Sequence, residues 1–140
     1  MTQNTPPSPQ PPAPQVWPTL RARDARGLIN FLVDAFGFEP TVVYGDGDRV
    51  DHAQLSWPPG GGIMLGSVRE TGEDRSVQPG SFAAYVVTDD PDAVYAKATA
   101  AGAKILDELH ETDYGSRDFA AADPEGNRWS FGTYRGEPRS

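Results

Sequence analysis

This 140-residue chain contains no cysteine, which excludes disulfides and every thiolate metal site. Histidine is scarce as well, at two residues, so any metal site would have to lean on carboxylates. No apolar run approaches the roughly 20 residues a transmembrane helix needs. The first residues also lack the basic start and apolar stretch of a secretory signal. A cytoplasmic protein without membrane attachment is the expectation. Basic residues are outnumbered, 12 Lys and Arg against 20 Asp and Glu, giving a formal net charge of −8. That balance argues against nucleic-acid binding, which needs clustered positive charge to neutralise phosphates.

What is plentiful is unevenly placed. Residues 1–16, MTQNTPPSPQPPAPQV, carry no charged side chain, and six of them are proline. Too little apolar surface can be buried there to offset ordering entropy, so a disordered or polyproline-like tail is expected. Acidic residues collect in GDGD (45–48), RETGED (69–74), TDDPD (88–92) and DELHETD (107–113). These read either as solvated loops or as a field that draws in cationic ligands.

The rest of the chain repeats itself. Leu28, Leu32 and Ala35 are answered by Val94, Ala98 and Ala101, each 66 positions on, and Asp24 is answered by Asp90. Two copies of one supersecondary unit must pack together to bury what neither could bury alone. In the first copy, Pro18–Arg23 reads as a strand. Asp24 is an N-cap, Leu28, Phe31, Leu32, Ala35 and Phe36 form a helical stripe, and Gly37 is the stop. Strands follow at Thr41–Tyr44, Asp51–Trp57 and Gly62–Gly66, joined by the turn-rich GDGD and PPGGG. The second copy offers a strand at Phe82–Val87 and a helix capped by Asp90 with Pro91 at its first position, ending at Gly102. Val94, Ala98 and Ala101 are its expected buried face. Further strands are expected at Lys104–Leu106, Arg117–Ala122 and Arg128–Thr133, the last two flanking the turn Asp123-Pro124-Glu125-Gly126-Asn127. The expected organisation is a tail (1–16), one domain (17–134) made of repeats 17–67 and 81–134, and a short C-terminal tail (135–140). The expected fold class is α+β, built of two βαβββ repeats with eight strands and two helices.

With LRARDARGLINFLVDAFGF, AAYVVTDDPDAVYAKATAAGAKI and AADPEGNRWSFGTY in this order, the chain resembles the vicinal oxygen chelate superfamily. That superfamily holds glyoxalase I, extradiol dioxygenases and bleomycin-type resistance proteins. The runs HAQLSWPPGGGIMLG (52–66) and YGSRDFAAADPEGNRWSFGT (114–133) are most similar to a small bacterial glyoxalase-like subgroup named after a phosphonate-operon protein. The resemblance implies that the two βαβββ repeats form a curved eight-strand mixed sheet, two half-sheets curling around a shared cavity that is often completed by a dimer partner, so a homodimer is expected. Metal-dependent members place one His or Glu on the first and last strand of each copy. Carried over by spacing, those positions are Trp17, Met64, Ala83 and Ser130, none of which supplies a carboxylate or imidazole. No metal and no other cofactor is therefore expected.

Strand alternation from those four positions lines the cup with Trp17, Thr19, Met64, Ala83, Tyr85, Arg128 and Ser130, joined by His52 and Gln54 from a neighbouring strand. Trp17 and Tyr85 suit a planar or cationic ligand; alternatively Trp17 plugs the place a metal would take. Trp57 and Trp129 are expected in the core, and His110 at the surface. Tyr114 and Arg117 belong to a loop that closes the cavity mouth in the subgroup, where Arg117 either meets an acidic ligand or forms a structural ion pair. His52 reads as a hydrogen-bonded structural residue or as an acid–base group, so catalytic residues stay unassigned. The functional expectation is a metal-free protein that holds an aromatic or hydrophobic small molecule, with a cationic, antibiotic-like ligand as a special case. The alternative is a metal-dependent lyase, isomerase or dioxygenase of the same superfamily.

Overall fold

The computed structural model describes residues 14–69 and 78–138. Most of the expected tail and the central part of the segment between the repeats lie outside the described residues. The first unit comprises β1 (Thr19–Ala22), α1 (Ala25–Phe31), β2 (Glu39–Asp46), β3 (Arg49–Ser56) and β4 (Gly62–Ser67). The second comprises β5 (Ala83–Val87), α2 (Pro91–Ala100), β6 (Lys104–Glu111), β7 (Arg117–Ala122) and β8 (Arg128–Gly132). These are the two βαβββ units of an α+β fold. Their strands lie in two four-stranded mixed sheets, ordered β1-β4-β3-β2 and β5-β8-β7-β6. In each sheet the first strand is parallel to the last and the other pairings are antiparallel.

The 66-residue offset holds through the hydrogen-bond register. Thr19 pairs with Met64 and Met64 with Gln54, as Tyr85 pairs with Ser130 and Ser130 with Ala120. Both helices start as their sequences dictate. Asp24 accepts from the Gly27 amide at 3.0 Å and Asp90 from the Ala93 amide at 3.0 Å, each supplying an acceptor to an otherwise orphan N–H. The helical segments end before Gly37 and Gly102, whose φ values of 92° and 81° an L side chain adopts only with strain.

Three local expectations change. The stripe after α1 does not continue as α-helix, because Leu32–Phe36 widens to a π-helical turn in which the Gly37 amide reaches the Leu32 carbonyl at 3.1 Å. Ala101 is exposed, so α2 buries Pro91 and Ala98 with Val94 and Tyr95 half-covered. Finally, β6 runs on through the acidic stretch to Glu111, so Asp107–Glu111 is strand rather than loop.

One core serves both units. Leu20, Leu55, Ile63 and Leu65 of the first sheet and Phe119, Trp129 and Phe131 of the second are all buried with Leu28, Leu32 and Phe36. At about 1.5–3 kcal/mol for each large apolar side chain removed from water, this layer is the main stabilising contribution. Phe36, from the π-helical turn, reaches across to Phe131 at 4.7 Å and Trp129 at 5.8 Å between ring centroids. Half-buried Trp57 donates its indole N–H to the Val87 carbonyl of the second sheet at 2.9 Å. Glu125 ties the units from the other side, accepting from the Arg23 and Asp24 amides at 2.7 and 2.9 Å. Because one face of each sheet lies in this common core, the alternate residues of every strand are turned away from it.

Candidate functional site

The expected site residues divide between the two outward-turned faces. On the first sheet, Thr19, Met64 and Gln54 form a row of neighbours across β1, β4 and β3. His52 lies opposite Tyr44 of β2, their rings stacked at 6.3 Å and 18°. Trp17 precedes β1, and its indole N–H donates to the Pro14 carbonyl at 2.9 Å. Its ring lies over Gly62, where a Cβ would come within 2.9 Å of it, so the glycine makes room for the half-buried indole. Past the end of this row the face turns basic, with Arg21, Arg23, Arg49 and Arg69 around one hollow that also holds Asp48 and Asp51.

On the second sheet the matching row is Tyr85, Ser130 and Ala120, and beside it Arg128 lies between Ala83 and Ala122. Here the face is a hollow of about 540 Å³ lined by Asp107, His110, Glu111, Tyr114, Asp118, Arg128 and Ser130, among others. Arg128 donates to Asp107 at 2.5 Å. Arg117 is bidentate to Asp92 of α2 at 2.6 and 3.1 Å and also reaches Glu111 at 3.2 Å. Those hydrogen bonds raise the Arg117 pKa and lower that of Asp92, so the ion pair clamps β7 to the start of α2. Burial, ahead of any other cause, raises the pKa of the Tyr85 phenol, which donates to the Tyr134 carbonyl at 2.7 Å.

The chain therefore gathers Trp17, Thr19, His52, Gln54 and Met64 on one face and Tyr85, Tyr114, Arg128 and Ser130 on the other, while Arg117 falls on the alternate side of β7 with the core residues Phe119 and Ala121 and is held by Asp92 of α2. The units meet at a cleft of about 350 Å³ between Pro18, Trp57 and Gly62 on one side and Tyr85 and Trp129 on the other.

Sequence reasoning passed over Asp107, His110 and Asp118. His110 is exposed, as expected of a surface residue, but it lines the hollow, with its Nδ1 2.8 Å from the Glu108 carbonyl. A signal for it existed in the repeat. Tyr44 and His52 form a cross-strand pair, and 66 positions on, His110 and Asp118 form the equivalent pair.

A family model described as the Glyoxalase/Bleomycin resistance protein/Dioxygenase superfamily matches residues 15–131. The chain belongs to this superfamily. Protein Mb0911c of Mycobacterium bovis is 33% identical over 126 residues, covering 85% of this chain and 82% of that protein. Among solved structures, TioX from Micromonospora sp. ML1 matches with a TM-score of 0.68 and 27% identity, covering 84% of this chain and 97% of the other. TnmS3, an antibiotic binding protein from Streptomyces sp. CB03234, matches with a TM-score of 0.62 at 24% identity, covering 81% and 88%. At that identity the likeness to TnmS3 is one of fold.

Superfamily enzymes that use a divalent ion need hard or borderline donors converging in the cup. Met64 and Ser130 hold equivalent places next to Thr19 and Tyr85 in their sheets, and neither brings a carboxylate or an imidazole. Among the described residues no three His, Asp or Glu side chains come together in a way that could hold a metal ion. The donors among the described residues do not fit a divalent metal. What the two faces offer is aromatic surface, hydroxyls, an amide and paired charges, the usual means of holding and orienting an organic molecule.

Proposed function

We propose that this chain is a small-molecule-binding protein of the glyoxalase/bleomycin resistance superfamily, holding an aromatic or hydrophobic, antibiotic-like ligand without a metal. One observation carries the reading: Met64 and Ser130, to which the resemblance carries the superfamily's last-strand metal donors, stand at equivalent places beside Thr19 and Tyr85 and bring neither carboxylate nor imidazole. Trp17 and Tyr85 supply flat surface for stacking, while Gln54, His52 and Ser130 fix orientation through hydrogen bonds. The same fold serves TnmS3, an antibiotic binding protein, which is consistent with this use of the faces. Membership of the small bacterial glyoxalase-like subgroup and a cytoplasmic location belong to the same proposal.

The site is completed in a homodimer, where the first sheet of one copy closes over the second sheet of its partner. Two features support this. Each face alone is open to solvent, with Tyr44, Tyr85 and Tyr114 from 44% to 62% exposed. The faces also differ in charge balance, the first with four arginines against Asp48 and Asp51 and the second with Asp107, Glu111, Asp113 and Asp118 against Arg128. A two-fold axis would then create two identical composite sites.

The test is titration of chelator-washed protein with a panel of planar aromatic antibiotics, followed by tryptophan fluorescence and by melting temperature. Saturable quenching with a rise in melting temperature is expected, because a ligand that binds only the folded state stabilises it by mass action. A stoichiometric rise with Ni²⁺, Zn²⁺, Mn²⁺ or Fe²⁺ would instead support the metalloenzyme alternative. Mixing Met64→Lys and Ser130→Lys variants tests the composite site, since mixed dimers should regain one intact site in two.

A further inference from the structure

We infer that Asp118 and the three tyrosines around it form a subsite for a positively charged nitrogen on the ligand; this rests on the binding reading above. Asp118 is half-buried on the outer face of β7. Its carboxylate accepts from the buried Ser116 hydroxyl at 2.5 Å and from Tyr114 at 3.3 Å. The Tyr114 ring meets that of Tyr134 edge-on at 5.8 Å, and the Tyr134 carbonyl anchors the Tyr85 hydroxyl. Gly132 of β8 underlies the group, since a Cβ there would collide with both Asp118 and the Tyr85 hydroxyl. A larger residue would push the carboxylate and the phenol apart.

Among the described arginines from β5 onward none is left over to pair with Asp118, whose cross-strand neighbour is His110. Arg117 is committed to Asp92 and Glu111, Arg128 to Asp107 and Arg135 to Asp89. Among the described residues none forms an ion pair with Asp118. A half-buried carboxylate held in place by two hydroxyls and flanked by aromatic rings attracts a cation through charge and through the ring faces together. A desolvated anion or a neutral ring gains nothing from the carboxylate. The chemical class is a protonated amine or quaternary ammonium attached to, or part of, an aromatic ligand.

The experiment compares two probes of nearly equal shape, the cation N-methylquinolinium and the neutral N-methyl-2-quinolone, by calorimetric titration at low and high salt. Wild type should bind the cation about tenfold more tightly at low salt, with the gap narrowing at high salt. Asp118→Asn should bring the affinities of the two probes within about twofold of each other. Tyr114→Leu, at a residue 62% exposed, should weaken the cation about threefold. It decides the matter should Asp118→Asn fail to fold. Equal affinities in wild type, or a preference that survives these substitutions, would overturn the subsite and leave the pocket standing. Binding of neither probe would overturn both.

Discussion

Asp123 is the polar centre of the second unit, and replacing it with alanine should be among the most damaging single changes in the chain. It is 5% exposed and opens the turn between β7 and β8. One carboxylate oxygen accepts from the Glu125 and Asn127 amides at 2.9 and 3.0 Å. The other accepts from the Asn127 side chain at 2.9 Å and from the Trp129 indole at 2.8 Å. Hydrogen bonds to an ionised group contribute about 1.5–3 kcal/mol each, but four that share one carboxylate do not add. Alanine would also leave the Trp129 and Asn127 donors buried without an acceptor, at about 1–3 kcal/mol for such a group. A loss of about 3–5 kcal/mol is therefore expected for Asp123→Ala, and about half that for Asp123→Asn, which retains one oxygen. Urea denaturation followed by tryptophan fluorescence measures it, and the larger loss corresponds to a melting-point drop of roughly 10–15 °C. A loss for Asp123→Ala under about 1 kcal/mol with an unchanged slope would refute the reasoning. The same turn leads into Arg128 and Ser130, so ligand affinity should fall along with stability.

Other consequences can be checked separately. Glu125→Ala removes the acceptor that ties the second unit to the Arg23 and Asp24 amides. Faster hydrogen exchange at those two amides is expected, with a stability loss of about 1 kcal/mol. The Arg117–Asp92 clamp holds Asp92 below its ordinary pKa, so its contribution is present above about pH 4 and fades as pH falls through the depressed value. A double-mutant cycle of Arg117→Ala and Asp92→Ala should show coupling at neutral pH that vanishes in strong acid; coupling that persists in acid contradicts it. Gly37→Ala forces alanine to φ near 92° and should cost about 1–2 kcal/mol in the same denaturation assay.

The sequence by itself carries the repeat, and with it much of the fold. The 66-residue offset, the capping aspartates and the stop glycines are local signals that no tertiary contact overrides, so both βαβββ units follow from reading the chain. The DPEGN turn is legible for the same reason. The length of β6 is not, because Asp107–Glu111 carries charges that suit a loop and becomes strand only by pairing with β7. Nor is the π-helical turn legible, since its stripe of apolar residues fits an ordinary helix equally well. Trp17, Met64, Ala83 and Ser130 are reached only by carrying a family resemblance over the spacing of the repeat. Tertiary structure decided how the half-sites face. The sequence shows which residues share a strand face, but only packing of both sheets on one aromatic core turns those faces outward. It also decided the company Asp118 keeps. Ser116, Tyr114, Tyr85 and Tyr134 lie on three segments far apart in the chain, and strand pairing through β5, β8 and β7 is what brings them around one carboxylate.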